Sequence, residues 1–147
     1  MNYGRLMLAA VVATVVDATY GFIVYGQVLH GEFLRHPDVY RPEDVAMAYM
    51  PYLFLGTFLA MVAAGYIYAK GYEGGSGLQE GVSFGVVIGL FAVGYTCLVN
   101  YATLTIGRKL GGSMAIAAFV EWILAGIVIG LLYKPAAGSQ AARTTRA

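Results

Sequence analysis

The sequence predicts an all-α membrane protein that folds as a bundle of four transmembrane helices with up-down-up-down topology. Its 147 residues are 59% hydrophobic and only 12% charged, and soluble domains carry about twice that charged share. A soluble globule of this size could not bury so much apolar surface, and a disordered chain would be far more polar. Nine Lys or Arg against eight Asp or Glu leave no basic stripe for nucleic acid.

Four segments contain the roughly 20 mostly apolar residues that a helix needs to cross a bilayer. They are residues 6–29, 50–69, 81–106 and 114–133. None of them alternates in polarity as the strands of a membrane barrel do. We therefore assign residues 1–135 to one transmembrane domain and expect the small-residue tail, 136–147, to be disordered.

The first span has a rival interpretation as a signal peptide. Arg5, a short apolar run and the small residues around position 17 fit a cleavage site, and cleavage there would discard Asp17. However, the apolar run resumes at Tyr20 and continues to Leu29. We therefore expect a full membrane span.

The start of the second span is open to two interpretations. Pro42 followed by Glu43 and Asp44 is typical of a helix N-terminus, because proline suits the first turn and acids complement the helix dipole. The helix then begins outside the bilayer and is kinked at Pro51. Alternatively, a new helix begins at Pro51.

Four spans place both termini on the same side of the membrane. Five Lys or Arg lie on that side: Arg5, Lys70, Lys134, Arg143 and Arg146. Four lie on the other: Arg35, Arg41, Arg108 and Lys109. By the positive-inside rule this narrow difference predicts cytoplasmic termini. We expect the membrane to be a bacterial inner membrane. The expected partners are the lipid bilayer and a homo-oligomer or larger membrane complex. A single copy offers little room for a pathway along which a proton, cation or small solute could cross the membrane.

Small residues at four-residue spacing predict the helix contacts, because lipid tails are as apolar as leucine and only close backbone approach favours helix association. These residues are Ala9, Ala13 and Gly21 in the first span, Gly56 in the second, Gly81, Gly85 and Gly89 in the third, and Gly126 and Gly130 in the fourth. Asp17 fills the missing place in the first series, so we expect it to face other helices.

Two acids lie near the middle of their spans, Asp17 in the first and Glu121 in the fourth. At 1.5 Å rise per residue they lie within about 5 Å of each other in depth. None of the four segments contains Lys or Arg. A buried acid without a cation favours its neutral form, and a second acid nearby adds to this effect. We expect at least one of the pair to be protonated at neutral pH unless water or a bound cation reaches them.

Three interpretations of this pair remain open. The leading hypothesis is a centre that binds or moves a proton, a cation or a small solute, with hydroxyl groups from Tyr20, Tyr95 and Thr96. The second is a neutral hydrogen-bonded contact between helices. The third is a docking site for a polar partner helix, which would make the protein a non-catalytic accessory subunit of a larger membrane complex.

The chain lacks the motifs of known enzymes and cofactor sites. A single cysteine, Cys97, excludes a disulfide framework and a zinc site of several cysteines. His30, Glu32 and His36 lie in one loop, where we expect solvated side chains rather than a metal site. There is no nucleotide loop, nucleophile elbow or zinc-protease motif. We expect a protein that is not an enzyme and holds no metal or cofactor.

Overall fold

A computed structural model describes residues 1–135, and this part of the chain is helical with short connections and no strand. The predicted fold class is confirmed, because four helices are long and apolar enough to cross a membrane. They span Tyr3–Val28, Glu43–Gly71, Gly77–Thr103 and Arg108–Leu132. The tail 136–147, predicted to be disordered, lies outside the described residues.

The first span consists of α1 (Tyr3–Ile23) and a π-helical segment (Val24–Val28) that continues it. The side chain of Asn2 caps α1 by accepting a hydrogen bond of 3.1 Å from the backbone N–H of Arg5. This cap explains why the helix begins three residues before the predicted apolar run. A one-turn helix, α2 (His30–Phe33), follows.

The second span combines features of both interpretations that the sequence left open. The short helix α3 (Glu43–Ala46) begins directly after Pro42, and a 3₁₀ turn (Met47–Tyr49) joins it to α4 (Met50–Gly71). Pro51 stands in the first turn of α4, where its missing N–H would have had no helical partner. The helix therefore starts early and changes its winding before the proline.

The third span consists of α5 (Gly77–Ala92), a second π-helical segment (Val93–Leu98) and α6 (Val99–Thr103). The fourth is one continuous helix, α7 (Arg108–Leu132). This helix starts six residues earlier than predicted. Its first turn is basic and glycine-rich and therefore lies outside the apolar run that defined the predicted span.

Backbone contact between α5 and α7 is the closest in the bundle. An added Cβ at Gly81 would lie 2.5 Å from the carbonyl oxygen of Gly126, and one at Gly85 would lie 2.7 Å from that of Trp122. Gly130 faces Gly77 and Gly81 in the same way, and Gly89 faces the ring of Phe119. Only glycine allows two helix backbones to approach this closely.

The other predicted packing residues divide into two groups. Ala9 and Ala13 are fully buried where α1 packs against its neighbours. Gly56 lies on an exposed face with no atom near an added Cβ, and Gly21 meets only Tyr25 of its own helix. These two glycines therefore make no close helix contact, because a stripe of small residues permits approach but does not select which face meets a partner.

The helices do not form a symmetric square. The α5–α7 pair is joined to α1 through α7, and α1 in turn packs against α4. At the end near the termini, α4 is held to the other spans by an aromatic cluster, in which the Tyr68 ring lies 5.4 Å from that of Phe84 and 6.0 Å from that of Tyr133. At the opposite end, the first turns of α4 are exposed. Two of the predicted site residues, Asp17 and Glu121, line a cavity at this open end.

Candidate functional site

Asp17 and Glu121 come together in the structure. Asp17 lies on α1 and Glu121 on α7, and the packing of these two helices brings the two carboxyl groups within hydrogen-bonding reach. Neither side chain is fully buried, because both line a cavity. The pair is therefore sheltered by the bundle and accessible from one part of it.

Tyr25 is the tyrosine that contacts the acid pair directly. Its hydroxyl donates a hydrogen bond of 2.9 Å to Oε2 of Glu121. The hydroxyl of Tyr20 instead donates to the backbone carbonyl of Ala117, at 3.0 Å, one turn before Glu121 on α7. The two rings lie edge to face with their centroids 6.5 Å apart. Tyr20 thus joins α1 to α7, while Tyr25 holds the carboxyl group.

Tyr25 was not predicted as a site residue, because it lies in the first π segment, Val24–Val28. In a regular α-helix, a residue eight positions after Asp17 would point about 80° away from it around the axis. A π turn contains more residues than an α turn, so the following side chains are rotated relative to the regular register, and such turns are frequent at functional sites. No local sequence pattern marks this shift.

Tyr95 and Thr96 do not reach the acid pair. Both are exposed; Tyr95 is 71% exposed and its ring stacks on that of Phe91, with the centroids 5.7 Å apart. They belong to the second π segment, in which the buried residue is Cys97. The expectation that these two hydroxyl groups serve the pair does not agree with their placement, again because the winding of the segment differs from the assumed α-helix.

A cavity of about 950 Å³ extends from the acid pair toward the loop that joins the first two spans. Its wall comes from the last turns of the first span, the first turns of α4 and that loop, and it is largely apolar. Its apolar lining includes Phe22, Phe33, Met50, Leu53, Phe54 and Met114. Thr57 also lines it.

The polar side chains of the cavity lie at its two ends. Asp17, Glu121 and Tyr25 lie at the inner end, and His30, Arg41 and Glu43 line the part near the loop. Nε2 of His30 lies 3.0 Å from Oε1 of Glu43. The guanidinium of Arg41 lies 3.7 Å from the centroid of the Tyr49 ring. Both of these basic side chains therefore have contacts near the mouth.

The first loop is attached to the turn between the last two spans. Oε1 of Glu32 lies 2.5 Å from Nζ of Lys109 and 3.1 Å from Nη1 of Arg35. The hydrogen bond from Lys109, reinforced by the charge of Arg35, holds the pKa of the Glu32 carboxyl below its usual range. Nε2 of His36 accepts a hydrogen bond of 3.2 Å from the backbone N–H of Gly107.

These loop residues are therefore partly engaged in contacts within the protein, whereas the sequence predicted solvated side chains. Glu32 and His36 are only partly exposed. Within residues 1–135, no group of three or more His, Cys, Asp or Glu side chains is arranged to hold a metal ion. The contacts of Glu32 and His36 attach the loop that covers one side of the cavity.

Tyr40 adds a contact between this loop and α7. Its hydroxyl lies 3.4 Å from the sulfur of Met114, and its ring packs edge to face on Phe33 with the centroids 4.7 Å apart. Burial raises the pKa of the Tyr40 hydroxyl above its usual value. Tyr40 and Phe33 are therefore in contact within the loop, and both line the cavity.

Comparison with known proteins gives no relative from which a role could be transferred: no family model matches the chain, and no curated protein or solved structure matches it.

Proposed function

We propose that this integral membrane protein binds or transports a small solute or cation, and that Asp17 and Glu121 exchange a proton as the cavity is occupied. The observation that carries the proposal is the meeting of the two carboxyl groups from α1 and α7 at the inner end of the cavity. Residues with acidic side chains inside a membrane are costly, and they commonly mark proton or substrate pathways.

The chemistry of the pair supports proton exchange. Ionised carboxylates only accept hydrogen bonds, so a hydrogen bond between two carboxyl groups requires that they share at least one proton. Tyr25 supplies a further donor to Glu121. A cation that approached the pair would replace the shared proton as the source of positive charge.

The position of the pair supports access from one end of the bundle. The aromatic cluster of Tyr68, Phe84 and Tyr133 fills the space between helices near the termini. The cavity extends in the opposite direction, toward the first loop. A proton or solute from that side would reach Asp17 and Glu121 without crossing the tightly packed α5–α7 contact.

Infrared spectroscopy of the protein in lipid bilayers tests whether the pair holds a proton. We expect a carboxylic-acid C=O band at neutral pH that is absent in Asp17→Asn/Glu121→Gln. The Glu73→Gln variant is the matched control, because Glu73 lies in the exposed turn after α4. Absence of this band from the wild-type protein would contradict the proposal.

Proton flux tests whether the pair functions. Proteoliposomes with an internal pH-sensitive dye should show a change of internal pH after an imposed gradient, and the double variant should abolish it while Glu73→Gln retains it. Equal flux in all three proteins would exclude the proton centre. Loss of a co-purifying membrane protein in Asp17→Leu, with flux unaffected, would instead identify an accessory subunit.

A further inference from the structure

We propose that the cavity binds an amphipathic organic cation, with its positively charged group at Asp17 and Glu121 and its apolar body between α1 and α4. This inference rests on the proposed function and names the class of solute. It is carried by the size of the cavity, the chemistry of its wall and the position of its acids.

The size of the cavity fits an organic molecule rather than a proton or a bare metal ion. Its volume is about 950 Å³, within the range of about 300–1,000 Å³ that is typical of sites for small organic ligands. A pathway for protons alone would need only a chain of water molecules or hydroxyl groups. The space therefore indicates a ligand with a substantial body.

The wall fits an apolar body. Phe22, Phe33 and Phe54 contribute aromatic rings, and Met50, Leu53 and Met114 contribute flexible or branched apolar side chains. Sites for organic ligands are mainly apolar, with a few polar groups that set the orientation. The aromatic rings can also stabilise a cation placed over their faces.

The inner end fits a positive charge. Asp17 and Glu121 line the cavity there, whereas the two basic side chains that line it, His30 and Arg41, lie near the mouth. There His30 pairs with Glu43 and Arg41 stacks on Tyr49. An anionic ligand would meet two acids at the inner end, and a neutral ligand could not replace the positive charge of the proton that they share.

The lateral face of the cavity gives such a ligand a route from the bilayer. Phe22, Leu53 and Phe54 line the cavity and are exposed side chains, so the cavity is open beside them. A cation with an apolar body concentrates at the membrane–water boundary. It could pass between α1 and α4 with its charged group directed inward.

Two probes of nearly the same shape and opposite charge test this inference. Tetraphenylphosphonium is a cation and tetraphenylborate an anion, and binding of each to the purified full chain in detergent is measured by equilibrium dialysis. We expect saturable binding of the cation that is at least about tenfold tighter than that of the anion. Equal binding of both, or saturable binding of neither, would overturn the inference.

Variants then locate the probe. Asp17→Asn/Glu121→Gln should weaken binding of tetraphenylphosphonium at least about tenfold, while Glu73→Gln leaves it unchanged. Phe54→Ala should weaken binding of the cation without removing a charge. Unchanged binding in both the acid and the Phe54 variants would place the probe elsewhere and reject the site.

The result is separable from that of the proposed function. A carboxylic-acid band and proton flux that depend on the acid pair, without selective binding of the cation, would retain the proton centre and reject the organic cation. Selective binding without proton flux would retain the ligand class and reject proton exchange.

Discussion

The hydroxyl of Tyr25 donates a 2.9 Å hydrogen bond to Oε2 of Glu121, which joins the π segment of the first span to the middle of α7. The two residues are 96 positions apart in the chain. Their contact links the irregular winding of one helix to the carboxyl group of another. It is also the contact of the site that a single conservative substitution removes most directly.

The Tyr25→Phe variant should therefore lower the free energy of unfolding by about 1–2 kcal/mol, because it removes a donor from a partly buried acceptor. It should also shift the C=O band of Glu121 in the infrared spectrum. Reversible unfolding in mixed micelles and infrared spectroscopy measure the two effects. Tyr95→Phe is the matched control, since that side chain is exposed and stacks only through its ring. Equal effects of both variants would show that the Tyr25 contact contributes nothing specific.

The α5–α7 contact should not tolerate even one methyl group at Gly85. The Gly85→Ala variant would place a Cβ 2.7 Å from backbone atoms of Trp122 and Ile123, so the helices must separate. We expect a loss of about 1–3 kcal/mol in the free energy of unfolding, as for other overpacked cores. Gly56→Ala is the control, because nothing lies within 4 Å of its added Cβ. A stability of Gly85→Ala equal to that of Gly56→Ala would contradict the close packing.

The attachment of the first loop should persist as the pH falls through the usual range of glutamate titration, about 4.3. The pKa of Glu32 is lowered in the folded protein, first by its hydrogen bond from Lys109. Its contribution to stability is therefore present above the unfolded-state pKa and is lost as the pH falls through the lower folded-state pKa. Hydrogen exchange of residues 30–42 across acidic pH measures this loss.

Lys109→Met should move the loss of loop attachment to higher pH. The substitution removes the hydrogen bond that is the largest cause of the lowered pKa of Glu32. Arg108→Met is the control, since the neighbouring Arg108 forms none of the ion pairs found within residues 1–135. If both variants show the same pH profile as the wild-type protein, the Glu32–Lys109 pair does not hold the loop.

In the attached loop at neutral pH, the proton of the His36 ring should be on Nδ1 rather than on Nε2. Nδ1 lies 2.9 Å from the backbone carbonyl of Glu32, and Nε2 accepts from the N–H of Gly107; only one tautomer satisfies both contacts. The nitrogen-15 NMR spectrum of the ring distinguishes this form, and His30 provides an internal comparison. Protonation on Nε2 in the attached state would contradict the assignment.

The fold class could be predicted from the sequence, and the positions of the two acids near the middle of their spans could be read from it directly. Long apolar segments must form helices in a bilayer, since every backbone polar group there needs an internal partner. The glycines at positions 81, 85, 126 and 130 were also predictable as packing residues, because their four-residue spacing is a local property of a regular helix.

Tertiary structure decided which side chains meet. The packing of α1 on α7 brought Asp17 to Glu121, while two π segments placed Tyr25 at the pair and left Tyr95 and Thr96 exposed. The exposed first turns of α4, the end of the first span and the loop between them together form the cavity. The physical reason is that helix winding and helix–helix angles depend on packing energy summed over distant residues, and a periodic sequence pattern contains only the local part of that sum.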